Sequence, residues 1–243
     1  MTEDAAVAVP EKQEPGIFAV LRGALFVAKK DLRVEWRSKE ILLTTGYFGL
    51  FVVLVFSFSF VAGAEKESVV PGILWVAIAF SGALGLGRVF EREREGDCIR
   101  ALLLSPIART SIYLGKVLGV LVFMVGVQAV VLPAVWFFFN LRLSATNVAY
   151  LLGIVTLGTL GYAIVGTLLA SMLIRARSKD VLLAIVLYPL ILPMLIIGVQ
   201  ATGLLFAPEL NLTELKVYLR VLGLYDAVFL VANLWIFEPL LMD

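Results

Sequence analysis

Between Leu143 and Ile174 the chain runs without one charged residue, and four other uncharged stretches resemble it: Ile41–Gly63, Val69–Gly87, Val117–Asn140 and Val181–Pro208. Each is long enough to cross a bilayer core as a helix, which takes about 20 residues. In lipid, every backbone N–H and C=O must be satisfied inside the protein, so runs of this length fold as helices. A sixth stretch, Val217–Phe237, is apolar apart from Arg220 and Asp226. With 61% hydrophobic and only 16% charged residues, the chain reads as an all-α integral membrane protein with six transmembrane helices in a domain over 41–240. The fourth and fifth stretches exceed one span and are expected to tilt or run on into loops.

The basic residues are distributed unevenly about these spans. Seven lie in Met1–Glu40, six in Arg88–Lys116 and three in Arg175–Asp180. The intervening connections hold Lys66, then Arg142, then Lys216 and Arg220. By the positive-inside rule, both termini and the Arg88–Lys116 loop are expected on the cytoplasmic side. Met1–Glu14 is polar and acidic with no apolar core, so no cleavable signal is expected there. The single cysteine, Cys98, falls on the cytoplasmic side and reads as a small apolar residue without a disulfide. Histidine is absent, which removes the commonest protein ligand of haem iron and zinc. No metal site and no directly bound cofactor are expected.

Residues 1–15 read as a disordered tail. In 16–40, Ile17, Leu21, Leu25, Ala28, Leu32 and Trp36 recur near helical spacing, and Arg22, Lys29, Lys30, Arg33 and Arg37 fall on the other side. That pattern predicts an N-terminal amphipathic interfacial helix with its basic face toward anionic headgroups of the lipid bilayer. The alternative is a charged lead-in to the first span. The connections on the opposite side are too short for a domain, so function must reside in the spans or on the cytoplasmic side. No nucleic-acid partner is expected.

The stretch "RVFEREREGDCIRALLLSPIARTSIYLGKV", Arg88 to Val117, differs from everything around it. An acidic run is followed by the apolar Ile99–Leu104, then Pro106, which breaks a helix, then Ser111–Lys116 leading into the third span. Such a knuckle suits docking on a cytoplasmic protein. It resembles the segment between the second and third spans of ABC-2 type permeases of ATP-binding cassette transporters. In that family a short coupling helix there sits in a cleft of the ATPase. This chain has no GxxxxGK[ST] phosphate loop, so ATP would be handled by a separate subunit.

"PGILWVAIAFSGALGLGRVFERE" (Pro71–Glu93), "GTLGYAIVGTLLASMLIRARSKDVLLAIVLYPLILPMLI" (Gly158–Ile196) and "YDAVFLVANLWIFE" (Tyr225–Glu238) are similar to the haem exporter protein B family, CcmB, of cytochrome c maturation. The similarity is collinear over spans two to six. The chain departs from the pattern in the tail 1–15 and in "EGDC" at Glu95–Cys98, where the glycine is expected one place later. The resemblance implies a permease subunit in the cytoplasmic (inner) membrane of a bacterium, with haem as substrate and no enzymatic activity of its own. It implies a CcmA-like ATPase and a CcmC-like haem-handling membrane protein as partners. It also implies ATPase-coupling roles for Glu91, Glu93, Glu95, Gly96, Leu103, Pro106, Arg109 and Lys116. The missing histidine favours driving haem release from a partner over carrying haem. The runner-up is an ABC-2 exporter of another cargo, a lipid or a drug. A membrane-embedded enzyme is a third class, opposed by the absent histidine and the lack of paired intramembrane carboxylates.

Inside the spans, Asp226 draws attention, because an ionisable group in hydrocarbon is costly and is a functional candidate by default. Two roles are open for it: a hydrogen bond locking span six to a neighbour, and a direct part in transport. Arg220, six residues earlier, is on another face and is expected to snorkel to the outer interface. Pro189 and Pro193 can kink span five into a joint or simply shape its packing. Gly158, Gly161 and Gly166, with Thr159 and Thr167, give span four a small-residue face for close helix contact. Tyr225, Asp226, Pro189 and Pro193 are the intramembrane candidates.

Overall fold

A computed structural model describes residues 16–60, 66–95, 108–173, 179–207 and 210–240. Among them are seven helices and no strand: α1 (Ile17–Ser38), α2 (Glu40–Phe60), α3 (Lys66–Glu95), α4 (Arg109–Phe139), α5 (Ala145–Leu173), α6 (Lys179–Leu204) and α7 (Leu212–Leu240). Six of them, α2 to α7, are long and apolar enough to cross a membrane. The chain is an all-α, multi-pass integral membrane protein. Gly96, Leu103 and Pro106 of the expected coupling segment, and the tail 1–15, lie outside the described residues.

The spans match their expected positions; the helix of the fifth ends at Leu204 and its stretch runs on into a loop, and three other ends differ. The helix of the second span continues through Arg88 to Glu95, so the acidic run is helical at its start. The third begins at Arg109, not Val117, and takes Lys116 into its buried face. The sixth begins at Leu212, not Val217. There Asn211 Oδ1 accepts the Glu214 N–H at 3.2 Å, which satisfies one of the free donors of the first turn. Asp226 is therefore 14 residues into its helix, about 21 Å at 1.5 Å per residue, and not the nine residues that the shorter span implies.

The interior is built on α3, α4 and α5. The α1 and α2 helices pack on α4, with α2 also on α3, while α6 and α7 pack on α5. Every residue from Gly161 to Ala170 of α5 is buried, so this helix is enclosed on all sides. Its small residues face different neighbours: side chains added at Gly158, Gly161 and Gly166 would meet Trp75, Asp226 and Leu86 respectively. Gly158 and Gly166 thus serve close contact with α3, and Gly161 with α7.

Buried polar groups pair across helices, as a water-free interior requires. The Tyr113 hydroxyl donates to the Ile164 carbonyl at 2.9 Å. Asn233 Nδ2 donates to both Tyr113 Oη and the Ile164 carbonyl at 3.0 Å, tying α4, α5 and α7 together. Tyr162 donates to the Ala79 carbonyl at 3.0 Å, and Trp75 Nε1 to Thr202 Oγ1 at 3.1 Å. Gln128 Nε2 donates to Thr159 Oγ1.

Candidate functional site

Two buried charged residues stand out among those described: Lys116 near the start of α4, and Asp226 midway along α7. They occupy opposite kinds of surroundings.

Lys116 belongs to a joint between α1 and α4. Ala24, Val27 and Ala28 of α1 are buried, and a side chain at Gly115 would stand 2.6 Å from Val27 Cβ and 2.7 Å from the Ala24 carbonyl oxygen. Only a glycine lets the two helices approach so closely. Beside this contact Lys116 Nζ lies 2.9 Å from Asp31 Oδ2, with the lysine side chain 5% exposed and the aspartate 19%. Lys30 Nζ holds the other oxygen, Oδ1, at 3.0 Å. The outward side of α1 is both apolar and basic: Ile17, Phe18, Leu21, Leu25 and Phe26 are exposed, as are Arg22, Lys29, Arg33 and Arg37. A helix forms over the predicted region, and the face holding Ala24, Val27 and Ala28 packs on α4.

Beyond α1 the chain breaks at Lys39, which adopts the left-handed conformation (φ 54°) while its N–H donates to the Glu35 carbonyl at 2.7 Å. Glu35 Oε1 reaches across the break and accepts the Leu42 N–H at 3.0 Å, supplying a negative charge to the amino end of α2. Past the break, Leu42 packs at Gly126 and Val130 at Gly46. The two helices therefore follow α4 in the same direction, one after the other.

Asp226 sits where α7 meets α5 and α6. It is 5% exposed, and a methyl group at Gly161 would overlap its carboxyl. Neither carboxyl oxygen has a hydrogen-bond partner among the described residues. Arg220 is exposed and does not pair with it, as its position on another face implies. Next to it, the Tyr225 ring packs on Phe229 at 4.4 Å, and its hydroxyl donates to the Leu190 carbonyl at 2.9 Å. That carbonyl adjoins the one at Pro189, which loses its helical donor because Pro193 has no N–H. The structure thus brings Tyr225 to the proline pair of α6 and sets Asp226, its sequence neighbour, against Gly161 of α5. Both prolines face outward and α6 runs through them.

Of the candidate coupling residues, Glu91, Glu93 and Glu95 lie on the last turns of α3, with 91 and 95 on one face. Arg109 opens α4. Lys116 is buried against α1, where its Nζ meets Asp31. Sequence reasoning missed Asp31 and Glu35. The acidic positions on an otherwise basic helix were the available signal, since an acid among Lys30, Arg33 and Arg37 invites the question of what it faces. On the outer side of α3 and α6 there is an apolar groove of about 450 Å³, lined by Trp75, Val76, Phe80, Tyr188, Leu192 and Ile196 among others.

Comparison with known proteins gives a consistent result. The family profile described as CcmB protein matches residues 22–237. The chain is 30% identical to Heme exporter protein B of Pseudomonas aeruginosa over 178 residues, which is 72% of this chain and 78% of that one. To Heme exporter protein B of Paracoccus denitrificans it is 28% identical over 179 residues, 71% of this chain and 78% of the other. To that of Escherichia coli K12 it is 29% identical over 96 residues, 38% of this chain and 43% of the other.

Proposed function

The chain belongs to the CcmB family, and from that membership we infer that it is the membrane subunit of an ATP-binding cassette complex serving haem delivery to c-type cytochromes. The similar proteins are named heme exporters, which supports haem as the cargo of the system. A CcmA-like subunit hydrolyses ATP, a CcmC-like membrane protein handles haem, and this chain converts the first event into the second. Both termini and the Arg88–Lys116 segment face the cytoplasm of a bacterial inner membrane, in keeping with the basic residues concentrated there.

The observation that carries the coupling role is the helical continuity of the two flanks. Helix α3 runs past its apolar span through Glu91, Glu93 and Glu95, and α4 starts at Arg109 ahead of its own. A push delivered at Glu95 or Arg109 acts on helices that are continuous with two transmembrane spans. The chain's part in haem movement is mechanical. It has no histidine, and the α3–α6 groove offers iron no ligand stronger than Tyr188. Asp226 serves the moving state, in which a neighbour supplies the partner that its carboxyl lacks here.

Replacing Glu91, Glu93 and Glu95 together by Ala tests this. The permease is expected to insert normally while the ATPase detaches or ATP hydrolysis no longer drives cytochrome maturation. Wild-type complex formation, ATPase rate and maturation would remove the coupling assignment. Co-isolation with haem-handling proteins distinguishes this system from an exporter of lipid or drug. Protection of Cys98 from an impermeant thiol reagent added to intact cells tests the orientation, and ready labelling overturns it.

A further inference from the structure

The joint between α1 and α4 makes the amino-terminal helix part of the coupling path, an inference that rests on the reading of Arg88–Lys116 as the ATPase-facing segment. We propose that Asp31 is a positioning residue that latches α1 to the root of α4, so that both helices and the start of α2 move as one body when the coupling segment is displaced.

Three observations carry it. The Gly115 contact is a backbone approach, so α1 cannot slide along α4 without driving Val27 into the next side chain. A slip of one turn, about 5.4 Å, would also strip Lys116 of its carboxylate in a place where it is 5% exposed. Parting a buried ion pair opposes that slip more strongly than parting a surface pair would. Finally, Glu35 bonds to the Leu42 N–H across the Lys39 break, so a displacement of α1 is handed on to α2. The push arrives at Arg109, and the joint lies within the next two turns of the same helix.

The geometry supplies its own test. A Cβ built at Gly119 lies 3.7 Å from Asp31 Cβ, within the range that a disulfide needs. In the Asp31→Cys, Gly119→Cys variant the ion pair is gone and a covalent bond can take its place. The complex, reconstituted with its ATPase and haem-handling partner, is assayed for ATP-driven haem delivery before and after oxidation, with each single cysteine variant as a control for bridges to Cys98. Reduced, the double variant and Asp31→Cys should both lose about tenfold in delivery per ATP hydrolysed, at unchanged amounts of bound ATPase. Oxidation of the assembled double variant should restore delivery, and reductant should remove it again. That reversible change on assembled complex is not expected of a residue needed only for folding. A bridge that stalls turnover would show that α1 must leave α4 in the cycle, and would overturn the proposal. So would wild-type delivery by Asp31→Cys. Should Asp31→Cys fail to accumulate, Asp31→Glu must restore both amount and delivery; restored amount with delivery still lost also overturns it. Failure of the underlying coupling reading shows separately, as the Glu91, Glu93, Glu95 triple variant keeping ATPase binding and delivery intact in either redox state.

Discussion

Lys116 and Asp226 are equally deep in the protein and have opposite surroundings. The lysine meets a carboxylate at 2.9 Å that is itself shared with Lys30, and a glycine beside it brings the two helices into contact. The aspartate meets the bare face of α5 at Gly161 and no hydrogen-bond partner among the described residues. A buried charge with its counterion makes a joint, because separating the helices strands the charge. A buried carboxyl without one stabilises nothing in this arrangement, so its presence points to another arrangement in which it is satisfied. This weakens the first of the two roles open for Asp226, the hydrogen bond locking span six in place.

The contrast can be broken most sharply at the joint. Asp31→Ala takes the carboxylate away from an ammonium that is 5% exposed, and should cost about 3–5 kcal/mol, read as a lower unfolding temperature in detergent. Lys116→Met should cost less, about 1–2 kcal/mol, because Asp31 is partly hydrated and keeps Lys30. Equal costs would mean that the pair is not the asymmetric joint described. Next in size, Gly161→Ala places a methyl against the Asp226 carboxyl and should destabilise by about 1–3 kcal/mol. Adding Asp226→Ala should recover most of that loss, and strict additivity would show that the contact is slack.

The third test addresses the lone carboxyl. Asp226→Leu keeps the shape and removes two unsatisfied acceptors, so it should leave stability unchanged or raise it by about 1–2 kcal/mol, while haem delivery falls. A drop in assembled complex would restore the locking hydrogen bond as the explanation. Full delivery with Leu would show that Asp226 has no task. The smallest effect belongs to its neighbour: Tyr225→Phe loses one bond to the Leu190 carbonyl and should cost about 1 kcal/mol. An effect on delivery as large as that of Asp226→Leu would make the two residues one unit.

Lengths of uncharged sequence were enough to find all six spans, because lipid imposes one simple demand on each of them separately. The errors came where a charge was read as the end of a span. Lys116 marked the edge of a loop only while its counterion, 85 residues away in α1, was out of sight. Nothing in the local pattern around either residue reports on such a pairing. The early start of α7 was legible in Asn211-Leu-Thr-Glu214, a helix-opening pattern that the Lys216 and Arg220 charges obscured. Asp226 was conspicuous by its chemistry alone. That it faces Gly161 and that Tyr225 reaches the carbonyl beside the proline-opened turn depend on how three helices meet, which no single-helix periodicity contains.

The enclosure of α5 has a consequence for the making of the protein. The helix is complete at Leu173, but α6 and α7, which cover much of it, end only at Leu240. At 5–20 residues per second the remaining 67 residues take roughly 3–13 s to synthesise. Through that interval Gly161 lacks its contact with Asp226, and the Ile164 carbonyl, held by Tyr113, lacks its second bond from Asn233. Half-made chains ending near Leu173 should therefore be short-lived in pulse-chase experiments, whereas chains ending after Phe237 should persist. The last helix, least buried of the six spans, completes the enclosure of the most buried stretch of α5.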